Sequence, residues 1–407
     1  VQPDDADWHA DDVRYNVLRW TSSPRPPFGG YGPSVANPLT GQIIAADIML
    51  EYAFMKGRWL NGQMFTDGTK RLTPNFSLPL NHYCSLGHGM ANNLAFAHYA
   101  GLAKGMGDIE KDKLLRQTMY YLILHEVGHT LGLNHNMRAT QLYDHKTVHD
   151  DKVTQGIVAG SVMDYPAINF APVGMQQGDF YNERPGPYDD WMIEYGYSQA
   201  ETDPEAEEQR LQAILNRSTQ PDLVFGNDAD DMREPGRHID PRVNIFDHSN
   251  NAVAYAQDRL ELIRYSTAKL KDKLLQEGRS HNDLVVGANI MLVEMARQAE
   301  VTSRYIGGIY VDRSLVGQSG YQTPYIPVPE SLQRQAMSSL NQHIFSADLI
   351  DSFQPMFAYL QKQRRMFEGF EQNEDPKIQQ AVLAMQKRVL DHLLHPQVMQ
   401  RITDSSL

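Results

Sequence analysis

The 407-residue chain contains a single cysteine, Cys84, so no disulfide can form within it. Poverty in cysteine leans toward a reducing compartment, although many exported bacterial proteins are equally poor in it. The sequence also has no apolar run of ~18 residues, which excludes a helix that spans a bilayer. Positive charge is in the minority: 37 Lys and Arg stand against 50 Asp and Glu, for a net charge of −13. Nucleic acid binding needs clustered cations to displace counterions, so this balance argues against nucleic acid as a partner. There is no internal repeat and no low-complexity tract. The chain starts at Val1 without a methionine or a charged-then-apolar leader, and reads as a processed or excised piece of something longer. What remains is an ordinary globular composition, 41% hydrophobic and 21% charged. Its length exceeds the ~250–300 residues at which a single core stops growing, so two or three domains are expected.

Residues 11–23 contain a short β-like run rich in Val, Tyr and Trp, and residues 22–42, dense in Pro and Gly, read as loop. Residues 43–54 read as a buried strand. From Lys111 the pattern changes: Leu114, Leu115, Thr118, Met119, Leu122 and Ile123 recur at helical spacing, with an end at Gly132. A loop-rich stretch over 136–185 leads to a short helix at 188–197, stopped by Gly196. The acidic segment 201–209 marks a boundary. Beyond it, helices are expected over 252–276, 282–305, 330–344, 347–366 and 376–394, interrupted at 307–330 by a hairpin or an ordered loop. The outline is a mixed α/β domain over residues 1–200 followed by a mainly helical one over 201–407.

Chemistry concentrates in "HEVGHTLGLNH", residues 125–135. Residues four apart share one helix face, so His125 and His129 project their imidazoles the same way. Two imidazoles at that spacing can hold one Zn2+. Glu126 is swung to the side of such a metal, near a water but not bound to the ion. Gly132 can take the left-handed conformation that ends a helix, letting the chain turn and return His135 as a third ligand. Three protein ligands leave a fourth position for water, the mark of a catalytic zinc site rather than a structural one. The bland alternative is a helix whose histidines are merely satisfied core or surface groups.

The motif resembles that of the metzincin zinc endopeptidases, HExxHxxGxxH followed by a methionine turn. "SVMDY" at 161–165 fits such a turn, with Met163 28 residues after His135. Astacins and serralysins have a similar turn with a tyrosine two residues beyond the methionine, where Tyr165 stands. The resemblance implies that Tyr165 ligates zinc in the free enzyme and swings out to stabilise an oxyanion. "DDWMIEYGY" is similar to the helix that closes the lower subdomain in matrixins and their relatives. Together, "RYNVLRW", "GPSVANPLTGQIIAADI" and "HEVGHTLGLNHNM" look like a group of large, usually exported bacterial zinc metalloproteases. The implied fold is an α+β metzincin-like catalytic domain, with a mixed twisted sheet, an active-site helix and a Met-turn subdomain, ahead of the helical C-terminal domain. The implied activity is a zinc-dependent endopeptidase acting on peptides or proteins through a metal-activated water, with Glu126 as general base and acid. An extended substrate is expected along an edge strand, placed here at residues 80–95. Two other functions compete: a catalytically silent binding module of the same fold, and a zinc hydrolase with a non-peptide substrate. A degenerate glutamate or ligand would favour the silent module, and none is degenerate.

Other clusters carry less. His82, Cys84 and His88 fit no metal-site spacing that can be justified. His145 and His149 read as a solvated loop rather than as pocket lining. Asp228, Asp230, Asp231 and Asp240 offer oxygens that suit Ca2+ but lack the spacing of an EF-hand loop. The Leu, Ile and Met stripes of the C-terminal helices are packing surface.

Overall fold

The computed structural model describes residues 5–22, 29–51, 86–230, 234–361 and 377–405. Its N-terminal sheet is built around β4 (Ile43–Glu51), whose Ala45, Ile48 and Leu50 are buried. On one side β1 (Val17–Thr21) runs parallel to it, with Val17 opposite Asp47. On the other side lie two short antiparallel strands, β2 (Gly30–Tyr31) and β3 (Ser34–Ala36). They follow one another along the same edge, bridged where Asp47 N–H donates to the Pro33 carbonyl. The Pro- and Gly-rich stretch expected to be loop therefore contributes the sheet edge. Only two and three residues long, these strands lack the length and alternation from which strands are recognised.

Helix α1 (Leu86–Lys104) leads into the 23-residue α2 (Asp108–Thr130). The start of α2 is set by Glu110, whose carboxylate accepts from Gly107 N–H at 2.8 Å, and by Asp108 and Glu110 facing the positive end of the helix dipole. It ends as the glycine spacing anticipates. Gly132 takes a φ of 87°, and Leu133 N–H turns back to the Gly128 carbonyl at 3.0 Å, closing a Schellman-type cap. After irregular segments and the single turn α3 (Asp151–Thr154) come α4 (Pro187–Tyr197) and α5 (Pro204–Leu215). Helix α4 runs through Gly196 rather than stopping at it.

Two long helices, α6 (Ala252–Leu274) and α7 (Asn282–Arg304), pack on each other and on α1. Between α7 and α8 (Glu330–His343), β5 (Ile309–Val311) and β6 (Tyr325–Pro327) pair antiparallel, so the interruption is a hairpin. The helix expected over 347–366 is broken. α9 (Asp348–Phe353) gives way to a 3-10 stretch, Gln354–Tyr359, because Pro355 cannot donate to an α-helical ladder, and residues 362–366 lie outside those described. Helices α10 (Ile378–Leu393) and α11 (Pro396–Ser405) follow. No described helix is long and apolar enough to cross a membrane.

One hydrophobic core draws on both sides of the acidic 201–209 segment. Leu50, Phe96, Tyr121, Met163 and Phe180 share it with Leu260, Ile263, Met291 and Phe353. Polar groups cross the same line: the side chain of Arg259 and the hydroxyl of Tyr255 both donate to the Ile168 carbonyl, and Ala167 N–H donates to the Asp247 carbonyl. The segments that carry the histidine and methionine motifs are thus held from both ends of the chain.

The Gly132 turn is testable by itself, because nothing lies within 4 Å of where a Cβ would point. Replacing Gly132 with Ala should cost about 1–2 kcal/mol, through the left-handed backbone alone. Denaturant unfolding of the variant against the parent measures it.

Candidate metal centre

Helix α2 carries His125 and His129 one turn apart, and the Gly132 cap returns the chain so that His135 meets them. Their ring centroids lie 4.7 Å (His125–His129), 4.7 Å (His129–His135) and 5.3 Å (His125–His135) apart. Each ring is fixed through its Nδ1: His125 by the Val162 carbonyl at 2.7 Å, His129 by the Leu133 carbonyl at 3.1 Å, and His135 by the Asp228 carboxylate at 2.7 Å. An imidazole bonded through Nδ1–H keeps its Nε2 lone pair for a metal. One ligand atom from each ring falls within 4.8 Å of the others, and among the described residues this is the one such cluster.

The donor set fits Zn2+. Two nitrogens bound tetrahedrally at ~2.0–2.1 Å stand ~3.3 Å apart, and His129 Nε2 lies 3.0 Å from His135 Nε2. Burial drives the His125 imidazole well below its usual pKa, and the neighbouring histidines add to the shift. Burial also brings His129 down to about 4, again with His135 contributing. Neutral imidazole is the form that binds metal.

The floor beneath these rings is the turn at Ser161–Tyr165. Met163 is fully buried, and its sulfur sits where a Cβ on Gly128 would be, 2.3 Å away, so α2 can rest on the methionine only because position 128 is glycine. Asp189, in the first turn of α4, holds the turn by accepting from Ser161 Oγ, from Val162 N–H at 2.8 Å and from Gly186 N–H at 2.8 Å. Burial nevertheless pushes its carboxyl up to about 6. Val162 is therefore clamped on both sides, its N–H to Asp189 and its carbonyl to His125. Tyr165 follows with its hydroxyl 3.0 Å from His135 Nε2, on the face that a metal would share.

Glu126 is completely buried beside the histidines. Against it lies β2. A Cβ on Gly30 would fall 2.2 Å from Glu126 Oε1, and one on Gly32 would fall 2.3 Å from the Glu126 carbonyl oxygen. Among the described residues, the sheet edge next to the helix is therefore β2, with β3 following it along the same side of β4. The expected edge at 80–95 is not one: residues 86–95 belong to α1, and residues 80–85 lie outside those described.

The structure thus brings together His125, Glu126, His129, His135, Met163 and Tyr165, with Gly132 at the turn between the ligating segments. It separates the remaining candidates. His149 is buried rather than solvated, stacked on Tyr255 with centroids 5.7 Å apart, and burial lowers it to about 3. His145 is partly buried, with Nε2 4.0 Å from Asp258. The three described aspartates do not gather as a calcium site. Asp230 pairs with Arg313, Asp240 pairs with Arg242, Asp228 faces His135, and Asp231 lies outside the described residues. His82 and Cys84 are also outside them, and His88 falls within α1. Asp189, Gly30 and Gly32 are not singled out from the sequence, and Asp228 is noted there only as an oxygen donor for Ca2+. Only the glycines carried a signal, since glycines beside a strand often mark a close approach of backbone.

A protein-family model described as Met-zincin matches residues 107–407. No curated protein and no solved structure matches the chain.

Two substitutions follow from this geometry. Gly32→Ala forces a Cβ onto the backbone of Glu126, which cannot move aside as a side chain can, so the sheet edge and α2 must separate. Limited proteolysis should then cut residues 29–36 faster than in the parent. Asp189→Ala strands the buried Val162 and Gly186 N–H groups and should cost about 2–4 kcal/mol in denaturant unfolding.

Proposed function

Because the chain belongs to the Met-zincin family, we propose that it is a zinc-dependent endopeptidase in which His125, His129 and His135 hold one Zn2+. The observation that carries this reading is the convergence of three imidazoles, each tied through Nδ1, with a buried glutamate next to the first of them. Zinc in that position supplies Lewis acidity, polarising a scissile carbonyl and acidifying the attacking water.

The rest is the work of the chain. Glu126, adjacent to His125 but on a different bearing around the helix, takes the proton from the attacking water and passes it to the leaving amine. Its enclosure between α2 and β2 keeps the carboxylate in one place, so the proton has a fixed acceptor. Tyr165 presents its hydroxyl beside His135 and donates a hydrogen bond to the oxygen that gains charge during attack. The edge formed by β2 and β3 adds an extended peptide as a further strand through main-chain hydrogen bonds. That places the peptide along the strand that covers Glu126. A sheet edge beside the glutamate supports the reading of a peptide or protein substrate, because an edge strand recognises backbone amides.

The test is Glu126→Gln, assayed for metal and for cleavage of a generic protein substrate. Zinc content should stay near one per chain, while cleavage falls by about 10²–10⁴-fold, the usual contribution of general acid–base catalysis. A variant that cuts as fast as the parent removes Glu126 from the reaction. A parent that binds zinc but cleaves no member of a peptide library points instead to a silent module or to a hydrolase of another substrate class. Tyr165→Phe separates its own role: cleavage should slow by about 10–100-fold with KM little changed.

A further inference from the structure

His135 differs from the other two histidines in what holds it. His125 and His129 lean on backbone carbonyls that are close neighbours of the helix or of its floor. The Nδ1 of His135 instead meets a carboxylate oxygen, Asp228 Oδ2 at 2.7 Å, from a residue 93 positions further along the chain. Asp228 opens a single 3-10 turn, Asp228–Asp230, with a defined approach. Asn136, the residue after His135, grips the incoming segment: its Nδ2 donates to the Val224 carbonyl at 2.9 Å and its Oδ1 accepts from Gly226 N–H at 3.1 Å. Met137 N–H donates to the Gly226 carbonyl at 2.6 Å. The turn is closed by Asn227, whose Oδ1 accepts from Ala229 N–H and whose carbonyl accepts from Asp230 N–H, both at 2.9 Å. Its far end is tied to Arg313 through Asp230 at 2.8 Å. The contacts of Asn136, Met137 and Asn227 therefore place Asp228 without involving the histidine itself, and the solvent-exposed Arg313 pair adds little to them.

We infer that Asp228 is a positioning residue for the third metal ligand: its carboxylate fixes the tautomer and ring plane of His135. The inference rests on the zinc-site reading of His125, His129 and His135. A charged acceptor on the outer nitrogen of a ligand histidine strengthens the metal bond made by the inner one, and loss of such a partner costs ~10–100-fold in metal affinity. His135 is the ligand that most needs it. The other two are carried by a rigid helix, whereas His135 sits on the loop after the Gly132 turn.

Competition of the full-length chain against a chromophoric chelator for Zn2+ tests the assignment. Asp228→Ala should weaken zinc binding ~10–100-fold, while the thermal midpoint of the zinc-free protein stays at the parent value. Asp228→Asn keeps an oxygen for Nδ1–H but removes the charge, and should fall between the two. Asp230→Ala cuts the neighbouring tie to Arg313 without touching His135, and should bind zinc as the parent does. Parent-like affinity in Asp228→Ala overturns the inference. So does an equal loss in Asp230→Ala, which would assign the effect to the turn rather than to the carboxylate. A parent that holds zinc but cuts no peptide removes the peptidase reading and leaves this comparison standing. A parent that holds no zinc overturns both.

Discussion

An imidazole can give a metal only one nitrogen, and it is a precise ligand only if the other is occupied. Most of the site follows from that constraint. Three Nδ1 atoms need three acceptors, and the chain finds them in three different places: the methionine turn for His125, the helix-ending turn for His129 and a distant aspartate for His135. Each acceptor must itself be held, which is why Asp189 clamps Val162, Gly132 shapes the turn that exposes the Leu133 carbonyl, and Asn136 grips the segment leading to Asp228. The His125 tie is fully buried, whereas the Asp228 end of the His135 tie is half exposed.

The motif residues could be read from the sequence because their spacing is local. The 125/129 pair and the Gly132 turn are consequences of helix geometry, and Met163 and Tyr165 follow on resemblance within one short stretch. The long helices of the C-terminal half were also readable, since α6, α7, α8 and α10 repeat apolar residues at helical intervals. The elements that escaped depend on tertiary contact. Strands of two or three residues such as β2 and β3 have no pattern of their own. Residues 86–95 became a helix where an edge strand had been placed. His149 looked like surface because its flanks are polar, yet Tyr255 from a later helix covers it. Asp228 looked like one of several loose oxygens until folding set it against His135.

The same tertiary contacts bear on how the two halves of the chain depend on each other. The methionine turn is bordered by residues 244–247, with Phe246 N–H donating to the Tyr165 carbonyl and Thr140 Oγ1 donating to Asp247. Asp164 and Asp247 are buried together there, and burial raises both above the usual carboxylate range. Like charges in one dry place repel, so burial and proximity both favour the neutral form of these carboxyls. The helical half thus supplies part of the wall of the candidate site as well as a lever on one of its ligands.

The glycines in and just after β2 carry one more implication. Gly30 and Gly32 alternate with Tyr31 and Pro33, and both glycines face Glu126. If the strand slid by one residue, Tyr31 would come against the glutamate; if Gly32 moved into the place of Gly30, Ser34 would follow onto the backbone of Glu126. Only one alignment puts bare backbone at both points. The two missing side chains therefore act as a ratchet stop, and they index the sheet to the helix as a key indexes a lock.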